Sequence, residues 1–194
     1  MMSRRSIWLL LLLGAALGAT QASAFDPITG VISKGISTAL DVRSKDDVKV
    51  DVEVDAAITK KLVDNKGDEF KDVSILVFAR HGVLVGYAPS DDARRKAETL
   101  AKAEKRLRSL KNEIQVGKAG GSFGANAVLD KKIDLSLTAA KGVSSVNMRW
   151  KVYGDVVFLA GLAQSDAEAK LAVKTIRGLD GVKTVRSSLR IGKK

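Results

Sequence analysis

The chain has 194 residues, no cysteine, 33 lysines and arginines and 22 aspartates and glutamates, which gives a formal net charge of +11 at pH 7. The absence of cysteine excludes disulfides, thiol chemistry and an acylated lipoprotein cysteine. The positive charge favours a polyanionic partner such as anionic lipid head groups, and the alternative is a solvated basic surface that only aids solubility.

The N-terminus, from Met1 to Ala24, has the pattern of a cleaved export signal. Arg4 and Arg5 precede an apolar run from Ile7 to Leu17, and Ala22-Ser-Ala24 is a small-residue cleavage site. This run is shorter than the roughly 20 residues of a membrane-spanning helix, which favours cleavage over a retained anchor. Export predicts a periplasmic protein, so nucleic acid is not the expected partner in the cell. Loss of both signal arginines from +11 leaves a mature charge near +9.

Residues 25–46 form an N-terminal segment whose apolar residues have helix-like spacing, interrupted by Gly30 and Gly35. One interpretation is an amphipathic segment that lies on a membrane surface. The other is a leader that packs loosely on the first domain, as chain termini usually do.

The first domain, predicted over residues 47–116, opens on an ambiguous stretch. Val48 to Val54 alternate with charged residues, which locally indicates a strand. Val50, Val54, Ile58 and Leu62 also share one helical face, so helix and strand compete for the same residues.

A hairpin and a second helix follow. Val73 to Val77 predict a strand, Arg80-His-Gly82 a turn, and Val83 to Tyr87 its partner strand. Pro89-Ser-Asp91 predicts the start of a helix that runs to about Arg108.

This helix carries the strongest local charge bias in the chain. A solvated helix face is the ordinary explanation, and a secondary basic surface for phosphate groups is kept as a hypothesis. Its candidate residues are Arg94, Arg95, Lys102, Lys105 and Arg106.

Residues 117–125 are rich in glycine and predict a flexible linker, because they lack the spacing of a phosphate-binding P-loop. The second domain is predicted over residues 126–194. Its first helix has Leu129, Ile133 and Leu137 on its buried face, and the alternating run from Val146 to Val152 predicts the strand that follows.

The remainder of the second domain has clear local signals. Gly154-Asp155 predicts a hairpin turn into the strand from Val156 to Gly161. Ser165 and Glu168 form a capping-box pattern, Gly178 ends that helix, and a last strand runs to Ile191.

The two domains are copies of one segment. Ile58 falls on Ile133, and the register set by this pair needs no gap along the rest of the domain. The other matched pairs are Asp55 with Asp130, Leu62 with Leu137, Val77 with Val152, Gly86 with Gly161, and Ser90-Asp91 with Ser165-Asp166. Because residues 130–137 predict a helix, the repeat favours a helix from Asp47 to Val63 over a strand.

These motifs resemble the BON (bacterial OsmY and nodulation) domain. The resemblance rests on a helix with Asp-x-x-Ile-x-x-x-Leu, a valine-rich hairpin closing on Leu-x-Gly, a helix opened by Ser-Asp, and Gly-Val-x-x-Val before the last strand. It covers about residues 47–194, and the order of the two copies is most similar to dual-BON phospholipid-binding (DolP-like) proteins of the outer membrane. Those proteins carry a lipobox cysteine that this chain lacks, so its folded surface or the segment after the signal would make any membrane contact.

The resemblance implies a lipid-binding site on the first helix of the second domain. The candidate residues are Val128, Leu129, Lys131, Lys132 and Leu135. Val128 and Leu135 lie off the buried face, beside lysines, and would form an interfacial wedge or else pack against the first domain. The resembling proteins have an aromatic residue here, where this chain has Val128-Leu129.

No catalytic or metal site is predicted, and no cofactor. His81 is the only histidine and lies in a predicted turn, so neither a histidine metal pair nor a Ser-His nucleophile can be assembled. Carboxylates cluster at predicted helix starts, where the helix dipole accounts for them.

The expected architecture is α+β, with two α-β-β-α-β domains, each a three-stranded mixed sheet covered on one face by two helices. Solvent, a partner or the sister domain would cover the other face. The expected function is that of a non-enzymatic periplasmic protein, peripherally associated with a membrane, which binds anionic phospholipid and supports envelope integrity under stress. The alternative is an osmotic-stress-type module that binds or protects envelope proteins and does not bind lipid.

Overall fold

The computed structural model describes residues 41–65 and 68–192. The predicted export signal, residues 25–40 of the N-terminal segment, residues 66–67 and Lys193-Lys194 lie outside the described residues. The first domain contains α1 (Lys45–Asp64), a 3-10 turn (Asp68–Phe70), β1 (Val73–Phe78), β2 (His81–Ala88), α2 (Asp91–Lys102), β3 (Ser109–Asn112) and β4 (Gln115–Val116). The second contains α3 (Phe123–Ala139), a 3-10 turn (Ser145–Asn147), β5 (Met148–Tyr153), β6 (Val156–Ala163), α4 (Asp166–Arg177) and β7 (Thr184–Ile191).

Each domain is a mixed sheet with its two helices on one face, which confirms the predicted α+β architecture. β2 pairs antiparallel with β1 and parallel with β3 and β4, and β6 pairs antiparallel with β5 and parallel with β7. In the register of the repeat, both ends of β5, β6 and α4 fall on the ends of β1, β2 and α2. The two copies of the repeat therefore fold alike.

Helix α1 confirms the reading that the repeat favoured over local alternation. Val54, Ile58 and Leu62 are buried at the helical spacing, and the Ser44 hydroxyl caps the helix by accepting from the Asp47 N–H at 3.0 Å. Tertiary packing of one helical face outweighs the strand preference of the valines.

Three predicted boundaries are wrong. α2 ends at Lys102 and not near Arg108, because Leu107 packs on the first core and Ser109 already begins β3. His81 begins β2, so the turn lies at Ala79-Arg80. α3 begins at Phe123, inside the segment predicted as linker.

The capping box at the start of α4 forms only in part. The Ser165 hydroxyl accepts from the Glu168 N–H at 3.1 Å, as predicted. The Glu168 carboxylate does not accept from the Ser165 N–H, as a full capping box requires. It accepts from the N–H groups of Ser144 and Gln164, both at 2.7 Å. Glu168 therefore joins the loop before β5 to the start of α4.

The same helical position holds the hairpin turn in both copies. In α1, the Asp51 carboxylate accepts from the N–H groups of Ala79 and Arg80, both at 2.6 Å. In α3, Asn126 occupies the equivalent position, and its Oδ1 accepts from the Gly154 N–H at 2.9 Å. Each contact fixes the first hairpin of its domain to the first helix.

A glycine with positive φ is required at one equivalent position of each central strand. Gly86 has φ of 105° and Gly161 has φ of 123°. A Cβ on Gly86 would lie 2.0 Å from the Asp72 carbonyl oxygen, and one on Gly161 would lie 2.2 Å from the Asn147 carbonyl oxygen. The strand before each hairpin can approach so closely only because these positions have no side chain.

The faces of the two sheets that the helices leave open pack against each other. They bury a cluster that contains Leu76, Val83 and Val85 from the first sheet and Tyr153, Phe158 and Ala160 from the second. The rings of Tyr87, Tyr153 and Phe158 pack edge-on, with centroids 5.9 to 6.3 Å apart. The sister domain therefore covers the face of each sheet that the helices leave open.

Equivalent residues meet across this interface, as they do in a two-fold dimer. The Tyr153 hydroxyl lies 2.9 Å from the Ser74 hydroxyl. The equivalent pair is Phe78 and Arg149, whose guanidinium carbon lies 5.5 Å from the ring centroid. The duplicated segment thus packs on its own copy through an isologous contact within one chain.

Buried charges close one end of the interface. Arg43, just before α1, binds Asp41 at 2.6 Å and Asp51 at 3.0 Å, and its guanidinium stacks 4.3 Å above the Phe78 ring. Burial alone would raise the pKa of Asp41, but hydrogen bonds from Arg43 and its charge hold that pKa below the ordinary value. The Val42 N–H also donates to Asn147 Oδ1 of the second domain at 3.1 Å.

Asp55 on α1 is a weakly compensated carboxylate beside this end of the interface. Burial raises its pKa from 3.8 to about 6, although the Thr59 hydroxyl and the charges of Lys151 and Arg149 oppose the shift. Burial, with the repulsion of Arg43, also lowers the pKa of Arg149 to about 10.

We expect Gly161→Ala to lower the free energy of unfolding by about 1–3 kcal/mol from backbone strain alone, with the steric contact adding to this. Urea unfolding of the protein without residues 1–24, the predicted signal, measures the change. Gly124→Ala is the control, because its added Cβ meets nothing within 4 Å in α3 and should stabilise the helix slightly. Equal stability of Gly161→Ala and the parent protein would contradict the required close approach.

We expect Asp55→Asn to become more stable than the parent protein as the pH rises. The raised pKa keeps Asp55 protonated in the folded parent at pH values above 3.8, the pKa of the unfolded chain. The stability that this bound proton gives the folded parent is therefore full below pH 4 and is lost as the pH rises to about 6. The asparagine amide does not ionise in this pH range, so the stability of the variant does not fall in the same way.

The stability difference should grow between pH 4 and pH 6.5 by about 1–3 kcal/mol, with solvent screening reducing the upper value. Urea unfolding at several pH values measures the difference. Measurements below pH 4, where the parent also carries the proton, are the internal control, and the stability difference should be at its smallest there. A difference for Asp55→Asn that does not vary with pH would contradict the expectation.

Candidate functional site

The outward face of α3 carries two apolar and two basic side chains at helical spacing. We call Val128, Lys131, Lys132 and Leu135 the α3 outer face. Val128 is 59% exposed and Leu135 is 60% exposed, and both lysines are exposed. The opposite face anchors the helix in the second core. Val128 and Leu135 therefore do not pack against the first domain, which was the alternative to an interfacial wedge.

Leu129 does not belong to this surface. It is 7% exposed and packs in the second core with Ile133 and Leu137. Leu129 can therefore position α3 but cannot contact a membrane, and the other four residues remain the predicted lipid-binding set.

The charges of the two lysines differ in their surroundings. Lys131 lies 3.4 Å from Asp134, one turn along the helix. Within the part of the chain that the structure describes, Lys132 has no carboxylate partner. The α3 outer face thus keeps a net positive charge beside exposed apolar carbon.

Phe123, the first residue of α3, is a large apolar side chain that the sequence reasoning missed. It is 73% exposed. Phe123 lies inside the predicted linker of residues 117–125, and the signal that identifies it as helical is Ser122, a residue type common at helix N-caps. The Ser122 hydroxyl indeed caps α3 by accepting from the Ala125 N–H at 3.3 Å.

The secondary basic surface is largely neutralised by neighbouring carboxylates. Arg94 binds Asp91 at 2.9 Å, Arg95 binds Asp92, and Lys102 binds Glu98 at 2.5 Å. These pairs join neighbouring turns of one helix, so the charge bias read from the sequence is local and mostly cancelled.

The last two residues of this predicted surface, Lys105 and Arg106, lie beyond the end of α2. Arg106 binds Glu104 at 2.8 Å and Glu53 at 3.0 Å. Hydrogen bonds from Arg106 lower the pKa of Glu104 to about 2, so this pair stays ionised over the physiological pH range. The structure therefore does not bring all five predicted cations onto one helix face.

The single histidine takes part in a cross-strand contact. His81 Nδ1 and the Ser109 hydroxyl, the first residues of β2 and β3, lie 2.7 Å apart. Burial and the charge of Arg190 lower the pKa of His81, so the ring is neutral at pH 7. The parallel pairing of β2 with β3 places these two residues opposite each other, and this alone explains their contact. No described carboxylate hydrogen-bonds to the other ring nitrogen, so a third member of a triad is absent from residues 41–65 and 68–192.

The described residues contain no group of three histidine, cysteine, aspartate or glutamate side chains placed to hold a metal ion. Their helices include none with both the length and the apolar content to cross a bilayer.

Comparisons with known proteins agree with the repeat. The model of the BON domain family matches residues 50–118 and 125–193. An uncharacterized protein in the gshII 5′ region of Anaplasma centrale is 30% identical over 125 residues, which cover 63% of this chain and 83% of that protein. Osmotically-inducible protein Y of Escherichia coli (strain K12) is 26% identical over 144 residues, which cover 70% of this chain and 72% of that protein.

Two solved structures of CdsD, a structural protein of the type III secretion system of Chlamydia trachomatis, are also similar. They are 16% and 15% identical, with a TM-score of 0.31 each, over 73% and 71% of this chain. The chain covers 66% and 62% of those two structures, which is less than two thirds of their length. Both matched ranges of the family model coincide with the two copies of the fold, and the chain therefore belongs to the BON domain family.

Proposed function

We propose that the protein is a periplasmic envelope protein that binds anionic phospholipid reversibly through the α3 outer face. The observation that carries the proposal is the exposure of Val128 and Leu135 beside Lys131 and Lys132 on one helix face. Such a face can place apolar carbon among acyl chains while its lysines remain at the level of the phosphates.

The energetics favour peripheral attachment. Each lysine near an anionic membrane contributes about 1 kcal/mol, and two exposed aliphatic side chains add a modest apolar term. Together these terms give salt-sensitive, reversible association. Phe123, exposed at the start of the same helix, could supply the aromatic contact that the resembling dual-BON proteins make on this helix.

The cellular role in this proposal is support of envelope integrity under stress, after export by a cleaved signal. Similarity to osmotically-inducible protein Y supports an envelope protein of the osmotic stress response. The same similarity favours a second candidate function, a periplasmic module that binds or protects other proteins and does not bind lipid.

Co-sedimentation of the mature protein with phosphatidylglycerol vesicles tests the lipid proposal. We expect binding that decreases with salt, and at least roughly 30-fold weaker binding for Lys131→Glu/Lys132→Glu, since about 2 kcal/mol of attraction is lost. Leu135→Asp should also weaken binding by removing the apolar contact.

Lys174→Glu/Arg177→Glu is the matched control, because it makes the same change in net charge on a different helix. It should retain most of the binding. No vesicle binding by the parent protein would contradict the proposal and favour the protein-binding module. An equal loss in both double variants would show that only net charge matters and would remove the α3 outer face from the mechanism.

A further inference from the structure

The second domain has an open groove between α4 and β7, distant in the sequence from the α3 outer face. Its volume is about 570 Å³. Ala169, Val173 and Ser187 form its floor, and Lys170, Lys174 and Arg177 line it along the helix. The floor is made of small or apolar side chains and the rim is basic.

The equivalent place in the first domain is closed by a side-chain bridge. There the Asn112 amide of β3 donates to Glu98 Oε2 of α2 at 2.9 Å and to the Arg94 carbonyl oxygen at 3.3 Å. In the register of the repeat, Val173 stands in the place of Glu98 and Ser187 in the place of Asn112. Neither can form the bridge, so the second copy lacks the contact that fills the groove in the first.

The strand beside the groove has a backbone edge that no described strand pairs with. The Thr184 N–H donates to the Asp155 carbonyl oxygen at 3.1 Å and the Gly192 N–H to the Ala163 carbonyl oxygen at 2.8 Å. Even-numbered residues of β7 therefore face β6, and Val185, Ser187 and Leu189 direct their N–H and C=O groups outward. Of these groups, the Leu189 N–H makes a long contact of 3.5 Å with the Ser187 hydroxyl. Among the strands that the structure describes, only β6 pairs with β7.

β7 also differs from its counterpart in continuity. It runs unbroken from Thr184 to Ile191, whereas the first domain divides the same length between β3 and β4. An interrupted edge is a poor template for another strand, and a continuous one is a good template.

The cations of this groove are not neutralised. Lys170, Lys174 and Arg177 are spaced along one face of α4, and none pairs with a carboxylate of residues 41–65 or 68–192. On α2, by contrast, Arg94, Arg95 and Lys102 all have carboxylate partners. An occupant of the α4–β7 groove must therefore supply negative charge.

We propose that this groove binds an extended acidic peptide segment of a partner protein, which adds to β7 as a further strand. The peptide backbone would pair with the outward N–H and C=O groups of β7. Its acidic side chains would point toward α4, where their methylene groups rest on Ala169 and Val173 and their carboxylates reach the α4 cations. The side chains between them would point to the opposite face of the sheet. This inference goes beyond lipid binding at the α3 outer face and does not depend on it.

The backbone edge and the charge favour a peptide over two other occupants. A lipid phosphate would satisfy the cations but would leave the alternating donors and acceptors of β7 unpaired. A second copy of this chain joined edge to edge through β7 would bring Arg186 and Arg190 of both copies together, and facing like charges destabilise strand pairs.

Fluorescence anisotropy with a labelled ten-residue peptide of alternating glutamate and valine tests the proposal on the mature protein. We expect saturable binding that decreases with salt, and binding at least tenfold weaker for Lys174→Glu/Arg177→Glu. The same peptide with alternate amides N-methylated should not bind, because it keeps its charge but cannot pair as a strand. Amide hydrogen exchange should slow at Val185, Ser187 and Leu189 when the unmethylated peptide binds.

A second variant transfers the bridge of the first copy into the second. Val173→Glu/Ser187→Asn should fold, since the first domain already uses both residues at these positions, and it should lose the peptide. Lys131→Glu/Lys132→Glu is the control and should bind the peptide as the parent does. Circular dichroism and thermal unfolding establish that each variant is folded.

Several results would overturn the proposal. They are absence of peptide binding, equal binding of the N-methylated peptide, and full binding by the folded bridge variant. Loss of phosphatidylglycerol binding in Lys174→Glu/Arg177→Glu but not in Lys131→Glu/Lys132→Glu, with peptide binding retained, would assign the groove to lipid instead. Failure of the α3 variants to affect vesicle binding would count against the proposed function and not against this inference.

Discussion

The packing of the two sheets on each other is the constraint on which the rest of the structure depends. A three-stranded sheet with helices on one side leaves an apolar face that water would contact, and here each copy covers the face of the other. The cluster around Tyr153 and Phe158 occupies the middle of that contact. Because both inner faces are buried in this way, the four helices of residues 41–65 and 68–192 lie on the outside, and the surfaces that these residues leave for partners are helix faces and strand edges.

Duplication explains both the likeness of the domains and where they differ. The contacts that hold each fold together occur in both copies, although the side chains differ. Asp51 in the first copy and Asn126 in the second bind equivalent hairpin turns. Contacts at the outer surface have diverged further. The bridge from Asn112 to Glu98 is absent where Ser187 and Val173 replace them. The second copy consequently presents both the exposed α3 outer face and the open α4–β7 groove, while the first has a more neutralised surface.

Net charge alone was a poor guide to where positive charge is available. The densest run of cations in the sequence lies on α2, but most of these side chains have carboxylates one turn away, and such exposed pairs reduce the field that a partner would meet. The sparser cations of α4 lack such partners among the described residues. Spacing along the helix contributes to this difference, because Lys174 and Arg177 have no carboxylate three or four residues before them, whereas Arg94, Arg95 and Lys102 do.

The sequence by itself determined the repeat, the order of elements, the family and the buried faces of the helices, because hydrophobic periodicity and an ungapped offset are local properties of the chain. It also indicated Val128, Lys131, Lys132 and Leu135 as surface candidates. Only the tertiary structure decided that the sister domain covers each sheet, and that the Glu168 carboxylate binds the loop before β5 instead of the Ser165 N–H. It alone showed the buried Arg43 pairs and the groove beside β7. These features depend on residues far apart in the chain that meet across an interface, and no periodicity in the sequence encodes which distant side chains will be neighbours.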